Sequence, residues 1–305
     1  METKVSVIIP TFSRPDSLPR AINSVLNQTY KNIEVIIVDD NDPNTDYRKQ
    51  TEGVMKAFLK DSRVKYVKHV RNLNGSAARN TGFRNSNGDL VMFLDDDDEF
   101  TNVKVESQVN DLTNRDDSWG ASYTKYVRKS GGRKVIVSKE KREGSLLKEE
   151  LKRNLFVHAG SNLMVRRSVF EELGGFDESF TRNQDVEFLV RLLKKYKLAY
   201  TDVYGLIVHV TKKNIPRSFE NVTNDFLEKF ECTINELELI DKEEVYTMIQ
   251  LQLLRNYILK ERKFYKSLKL SFENKLKLSL ILRYFLHLLN RKLTRRAYGF
   301  KLNFK

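Results

Sequence analysis

Apolar positions along the first hundred residues alternate between two spacings. In "VSVIIP", Val5 to Ile9 form a short run, rich in β-branched residues and closed by Pro10, that reads as a buried strand. In "SRPDSLPRAINSVLNQ", Leu18, Ile22, Val25 and Leu26 recur at helical spacing, with Ser13 or Asp16 available to cap the start. The alternation continues with a strand in "IEVIIVDD", a helix through Val54 to Leu59, a strand in "VKYVKH", a helix in "GSAARNTGFRNS" and a strand over Leu90 to Leu94. Four such units with near-continuous apolar strands predict an α/β fold, its central sheet mostly parallel and flanked by helices. Ligands of such sheets bind beyond the carboxyl ends of the strands.

The pattern is more mixed from Trp119 to His209. "YVRKSGGRKVIVS" reads as a hairpin, Gly174-Gly175 closes a short helix, and Phe188, Leu189, Leu192 and Leu193 line one face of a helix in "QDVEFLVRLLKKY". After Pro216 the pattern is mainly helical. The expected division is residues 1–215, with halves 1–100 and 101–215, followed by a helical extension over 216–305.

Charge sharpens that boundary. The 305-residue chain carries a formal net charge of +13. From Arg255 to Lys305 there are fifteen lysines and arginines and two acids, Glu261 and Glu273, so the rest of the chain is balanced. The lone Cys232 excludes an internal disulfide framework. "VSVIIP" is too short for a signal-peptide core, and no run of about 18 uncharged apolar residues occurs. The expected location is cytoplasmic, peripheral on the inner face of the cell membrane through the basic tail.

Acids gather where a ligand of this fold belongs. The second strand ends in Asp39-Asp40, and the fourth runs into Asp95, Asp96, Asp97 and Asp98, then Glu99. Like charges this close repel, so either a cation lies nearby or the loop is freely solvated. No G-x-G-x-x-G follows the first strand and no G-x-x-x-x-G-K-S/T occurs, which removes the dinucleotide and P-loop signatures. Asp95, Asp97 and Glu99 begin an EF-hand-like spacing, but Phe100 stands at the glycine position. What remains is a hard-cation site for Mg2+ or Mn2+ shared with substrate phosphates, set against an acidic solvated loop.

Four stretches together resemble the inverting glycosyltransferases of family 2, which have the GT-A fold: "VSVIIPTFSRPDSLPRAINSVLNQTYKNIEVIIVDD", "NGSAARNTGFRNSNGDLVMFLDDDD", "LMVRRSVFEELGGFDESF" and "QDVEFLVRLL". The resemblance implies a nucleotide-binding half over 1–100 and an acceptor-binding half over 101–215. It implies that Pro10, Thr11, Phe12 and Arg14 form a loop against the nucleotide of a UDP-sugar, with Phe12 on the base. Asp39 would accept from the uracil N3–H, Arg79 would lie near the diphosphate, and Gly75 would belong to the nucleotide-sugar site. In the D-x-D signature, Asp95 or Asp96 would meet the ribose and Asp97 the metal, with Asp98 and Glu99 as a solvated remainder.

Inversion needs a carboxylate to take the acceptor hydroxyl proton. The resemblance puts this base in Gln184-Asp185-Val186-Glu187, at Asp185; many relatives have Glu where Gln184 stands. Read from the residues alone, Asp185 is equally a carboxylate favoured in a helix's first turn. His209 in "LIVHVT" is a metal or diphosphate contact by resemblance, or a sheet histidine without chemistry. His158 has no role assigned, "GGFDE" would shape the acceptor wall, and Trp119 is either core or a sugar-stacking platform.

In the tail, Lys275, Ser279, Arg283, His287, Arg291 and Arg295 recur at i+4, opposite Leu278, Ile281, Leu282, Phe285, Leu286 and Leu289. This amphipathic basic helix would dock on an anionic membrane surface, pack on the catalytic domain, or face a partner subunit. Its aromatics do not alternate with the basic residues, so nucleic acid is not an expected partner. The expected activity is metal-dependent, inverting transfer from a UDP-sugar to a hydroxyl of a glycan acceptor, possibly lipid-linked. The alternatives are a sugar nucleotidyltransferase, for which "PTFSRPDS" lacks the glycines, and a non-catalytic glycan-binding protein on the same fold.

Overall fold

The computed structural model describes residues 2–180, 182–210 and 218–302. The chain divides into two compact units, Met1–Leu146 with Val157–Thr211, and Leu147–Phe156 with Lys212–Lys305.

The first unit opens with the alternation of β1 (Val5–Thr11), α1 (Leu18–Leu26), β2 (Ile33–Asp39), α2 (Asp46–Phe58), β3 (Val64–Lys68), α3 (Gly75–Arg84) and β4 (Leu90–Phe93). Strands β3, β2, β1 and β4 are parallel neighbours, with Thr11 opposite Asp39 and Ile8 opposite Phe93. Register therefore brings the carboxyl ends of β1, β2 and β4 to one edge. All seven residues of β2 are buried, which explains its apolar run from Val35 to Val38. Each Val or Ile so placed contributes on the order of 2 kcal/mol. A buried exception, Glu34, accepts from Ser6 Oγ and the Asn87 N–H and is paired with Lys4 and Lys65.

The second half of this unit adds β5 (Glu99–Phe100), α4 (Lys104–Thr113), β6 (Trp119–Ser130) and β7 (Arg133–Ser138). A helix assigned to the other unit, α5 (Leu147–Leu151), intervenes before α6 (Ala159–Asn162), β8 (Met164–Arg166), α7 (Arg167–Glu172), α8 (Gln184–Leu193) and β9 (Lys197–His209). Here the sheet is mixed: β8 lies antiparallel between β4 and β6, β7 is antiparallel to β6, and β9 is parallel to β6 and antiparallel to β5. The β6–β7 turn holds Gly131 and Gly132 at φ of 52° and 76°, the left-handed pair a tight hairpin requires.

The second unit combines α5 with α9 (Phe219–Asn235), α10 (Leu239–Asn256), α11 (Phe264–Glu273) and α12 (Leu278–Thr294). Leu147–Phe156, inside the first expected domain by sequence, groups here through polar contacts. Lys148 pairs with Asp241, Lys152 with Glu244, and Asn154 exchanges two hydrogen bonds of 2.8 Å with the Phe300 backbone. Among the described residues, no helix is long and apolar enough to cross a membrane.

Candidate active site

The twin aspartates at the end of β2 divide the work of shaping the sheet edge. Asp39 is fully buried. Oδ1 accepts from the Asn41 N–H and side-chain amide, and Oδ2 accepts from Tyr66 Oη at 2.5 Å and is ion-paired with Arg48, whose Nε lies 3.1 Å away. Asn41, held by Asp39, accepts from the Ser13 N–H at 2.8 Å and so fixes the loop after β1. Asp40 accepts from the N–H groups of Leu73 and Asn74, and Asn74 caps α3 through the N–H groups of Ser76 and Ala77.

The two loops face the acidic run beyond β4. Asp96 accepts from Thr11 Oγ1 at 2.9 Å, the Phe12 N–H at 3.3 Å and Arg14 Nη1 at 2.8 Å. The same Arg14 nitrogen lies 3.0 Å from Asp97 Oδ2, while Arg20 donates to the Asp97 carbonyl. Burial pushes Asp96 up to about 6 despite Arg14 and Thr11, with Asp97 adding repulsion. Pro10, expected to close the strand, lies within β1 opposite Val38, and the strand runs on to Thr11 beside this loop.

Asp95 pairs with Arg79 Nη2 at 2.5 Å, and Arg79 folds back to donate to the Gly75 carbonyl. A Cβ at Gly75 would stand 2.9 Å from Arg79 Nη1 and 3.6 Å from Gln184 Nε2, so a side chain there would push the guanidinium aside. The cations that the acidic run demanded are therefore present in the chain itself.

Asp98 departs from the expected solvated remainder. It is buried, accepting from the His209 N–H at 3.2 Å, with His158 Nε2 at 3.3 Å from its other oxygen. Burial opposes charge on His158, but Asp98, with Asp95 and Asp185 beyond it, prevails and raises its pKa. The backbone of His158 is left-handed, at φ 58°, an uncommon state for a residue with a side chain. His209 reaches Glu99 through Nε2 at 3.1 Å.

α6 joins the acidic run to α8. Ser161 Oγ accepts from the Asp95 N–H, and the Gly160 N–H donates to Asp185 Oδ2 at 3.1 Å. Beneath them, the buried Lys104 donates to Asn162 Oδ1 at 2.6 Å and to Thr124 Oγ1 at 3.1 Å, and burial lowers its pKa well below the ordinary lysine value. Glu187, two residues beyond Asp185, is buried and paired with Arg191, which also donates to the carbonyls of Leu173 and Gly175. Glu187 thus braces the Gly174-Gly175 turn, leaving Asp185 as the acid of this helix start that faces the Asp95 side. Trp119 is placed away from all of this: it pairs with Lys197 at the opposite end of β9 from His209, its ring under Arg115 at 4.1 Å.

The arrangement groups Phe12, Arg14, Arg79 and the Asp95–Asp98 run at the strand ends, with Asp185 tied to them through α6. Sequence inspection missed Asn41, Gly160, Ser161 and Lys104, since each acts through a partner distant in the chain. The "AGSN" turn holding Gly160 and Ser161 was their one local signal.

Residues 6–174 match the family model Glycosyl transferase family 2. The amylovoran biosynthesis glycosyltransferase AmsB of Erwinia amylovora is 29% identical over 203 residues, 61% of this chain and 62% of that protein. An uncharacterised glycosyltransferase of Methanocaldococcus jannaschii is 32% identical over 193 residues, 62% of this chain and 64% of that protein. One from Rickettsia conorii is 44% identical over 108 residues, 35% of this chain and 17% of that protein. The chain thus spans less than two thirds of each. Among solved structures, S. aureus TarS 1-349 in complex with UDP-GlcNAc aligns with a TM-score of 0.62 at 18% identity, covering 96% of this chain and 81% of that one. That likeness is one of fold.

Proposed function

This chain belongs to glycosyl transferase family 2, a glycosyltransferase with a mixed α/β fold like that of the TarS structures, and from that membership we propose that it moves a sugar from a UDP-sugar to a hydroxyl of a glycan acceptor with inversion. One observation carries the reading: α6 links Asp95 and Asp185 through consecutive residues, Ser161 and Gly160, so the acidic strand end and the helix-start carboxylate are held as one constellation. A UDP-GlcNAc complex of the TarS structure supports a nucleotide-sugar donor.

In this reading the Thr11–Arg14 loop receives the nucleotide, Phe12 stacks on the base and Asp95 or Asp96 meets the ribose. Phe12 is half exposed at the loop tip, which leaves its ring free to stack. Asp39 acts by holding that loop through Asn41. Arg79 at the Gly75 turn meets the diphosphate, exchanging Asp95 for phosphate oxygens. Asp185 takes the proton of the acceptor hydroxyl as the hydroxyl attacks the anomeric carbon and the UDP bond breaks. The acceptor is a glycan, lipid-linked in the form that suits a chain working at a membrane surface.

The donor set fits a divalent cation, Mg2+ or Mn2+. Among the described residues no three His, Cys, Asp or Glu side chains cluster tightly enough to hold one by themselves. Such ions need only one or two carboxylates when phosphates complete the shell. Asp97 would hold it, with His209 as the further candidate. Bound there, it would neutralise charge building on the leaving diphosphate. Arg14, which pairs with both Asp96 and Asp97, would yield Asp97 to the ion.

A screen of UDP-sugars for thermal stabilisation and manganese-dependent transfer or hydrolysis tests the proposal. One donor should raise the melting temperature by mass action. No response to any UDP compound would remove the nucleotide assignment.

A further inference from the structure

Helix α12 carries two apolar faces, of which one is covered. Tyr284 is buried in a cluster with Met248, Leu251 and Phe300, and Leu280, Ile281, Phe285 and Leu288 pack around it. Leu278, Leu282, Leu286, Leu289 and Leu293 stand elsewhere on the helix and are 51% to 74% exposed. At 3.6 residues per turn these five fall within an arc of about 80°. The same periodicity puts Arg283 and Lys292 on either side of that arc. Helix α11 also presents an apolar row: Phe264, Tyr265, Leu268 and Phe272 are 60% to 88% exposed within an arc of about 100°. Lys269 falls about 40° beyond that arc, while Lys263 and Lys266, paired with Glu261 and Glu220, lie on the opposite side.

Water is a poor environment for such rows of large apolar side chains, and rows rimmed by charge mark interaction surfaces. The charge selects the occupant. Arg255 to Lys305 hold fifteen basic residues and two acids. A second copy of this chain would bring the same positive charge and be repelled. An anionic bilayer supplies both complements, an acyl boundary for the leucines and phosphates for the lysines and arginines.

We propose that the outer faces of α11 and α12 dock on the surface of an anionic lipid bilayer, the exposed leucines and aromatics entering the headgroup–acyl boundary. This deepens the reading of a lipid-linked acceptor, yet rests only on the second unit. The helices lie in the interface, with the covered face of α12 turned to its own core.

Flotation of the full chain with vesicles of phosphatidylcholine and phosphatidylglycerol tests it, with pure phosphatidylcholine alongside. Binding is expected to the anionic vesicles and to weaken as salt is raised. The variant Leu282→Gln/Leu286→Gln/Leu289→Gln should lose on the order of tenfold in partitioning. Arg283→Glu/Lys292→Glu should weaken anionic binding while retaining the apolar row. These exposed substitutions should leave the circular dichroism and donor binding unchanged, so a failed donor assignment is read separately. Absence of binding to anionic vesicles overturns the proposal, as does binding that both variants leave intact. A concentration-dependent dimer broken by the leucine variant, without vesicle binding, would assign the face to a second copy instead.

Discussion

The backbone N–H of Gly160 donates to Oδ2 of Asp185 across 3.1 Å, tying the first turn of α8 to the turn that also supports Asp95. This donation orients one carboxylate oxygen. A Cβ at Gly160 would stand 3.4 Å from that same oxygen, an ordinary van der Waals contact.

Asp185→Asn keeps an oxygen for the Gly160 N–H and removes the proton acceptor. Transfer should fall about a thousandfold, the upper range for loss of a general base. Donor affinity by calorimetry should stay within about twofold, since binding does not use that proton. Normal turnover in this variant would move the base elsewhere.

Asp97→Ala separates the metal from the nucleotide. Wild-type transfer should vanish with a chelator and return with manganese. In the variant, manganese should no longer strengthen UDP binding, measured by titration with and without the ion. An equal metal effect in both proteins would take Asp97 out of the coordination shell.

Asp39→Asn tests the anchor role. An amide nitrogen would face Arg48 or Asn41, leaving buried donors opposed and an arginine unpaired. A loss of roughly 2–4 kcal/mol is expected, with a melting temperature lower by on the order of 10 °C. A variant as stable as wild type, with UDP affinity alone reduced, would return Asp39 to the base contact.

Glu34 predicts the acid limb of the stability curve. Burial alone would raise its pKa, but the Asn87 N–H, Ser6, Lys65 and Lys4 outweigh it and pull it down to about 2 from 4.5. The native state thus favours the ionised form. Its contribution is complete above the ordinary glutamate value and is lost as pH falls from about 4.5 toward 2. Glu34→Gln should cost on the order of 2 kcal/mol at neutral pH and flatten denaturant-unfolding stability across that window. An unchanged acid slope would assign it to other carboxylates.

Much of the first unit was legible along the chain. Apolar runs ended by polar residues identify β1, β2 and β4 because a strand buried on both faces admits little else. The strand-end position of Asp95 to Asp98 followed from that, as did the hairpin at Gly131-Gly132. The family motifs then named Asp185 among several acids that periodicity treats alike.

Partner identity was decided only by the folded chain. Asp39 and Asp98 look like free carboxylates in sequence; Asn41, Arg48 and, from 27 residues away, Tyr66 partner the first, and His158 and His209 enclose the second across 60 and 111 residues. The i+4 row from Lys275 to Arg295 was expected as one polar stripe, but an α-helix advances about 40° beyond a full turn every four residues. His287 consequently packs with Tyr298 and Phe300 and Arg291 with Phe156, while Lys275 and Arg295 fall outside the helix. The leucines expected on a single apolar face divide likewise between a core and solvent. Local pattern determines which residues form an element, because it reflects short-range periodicity. Which face is covered, and which charge is paired, depends on what the rest of the chain brings to that face.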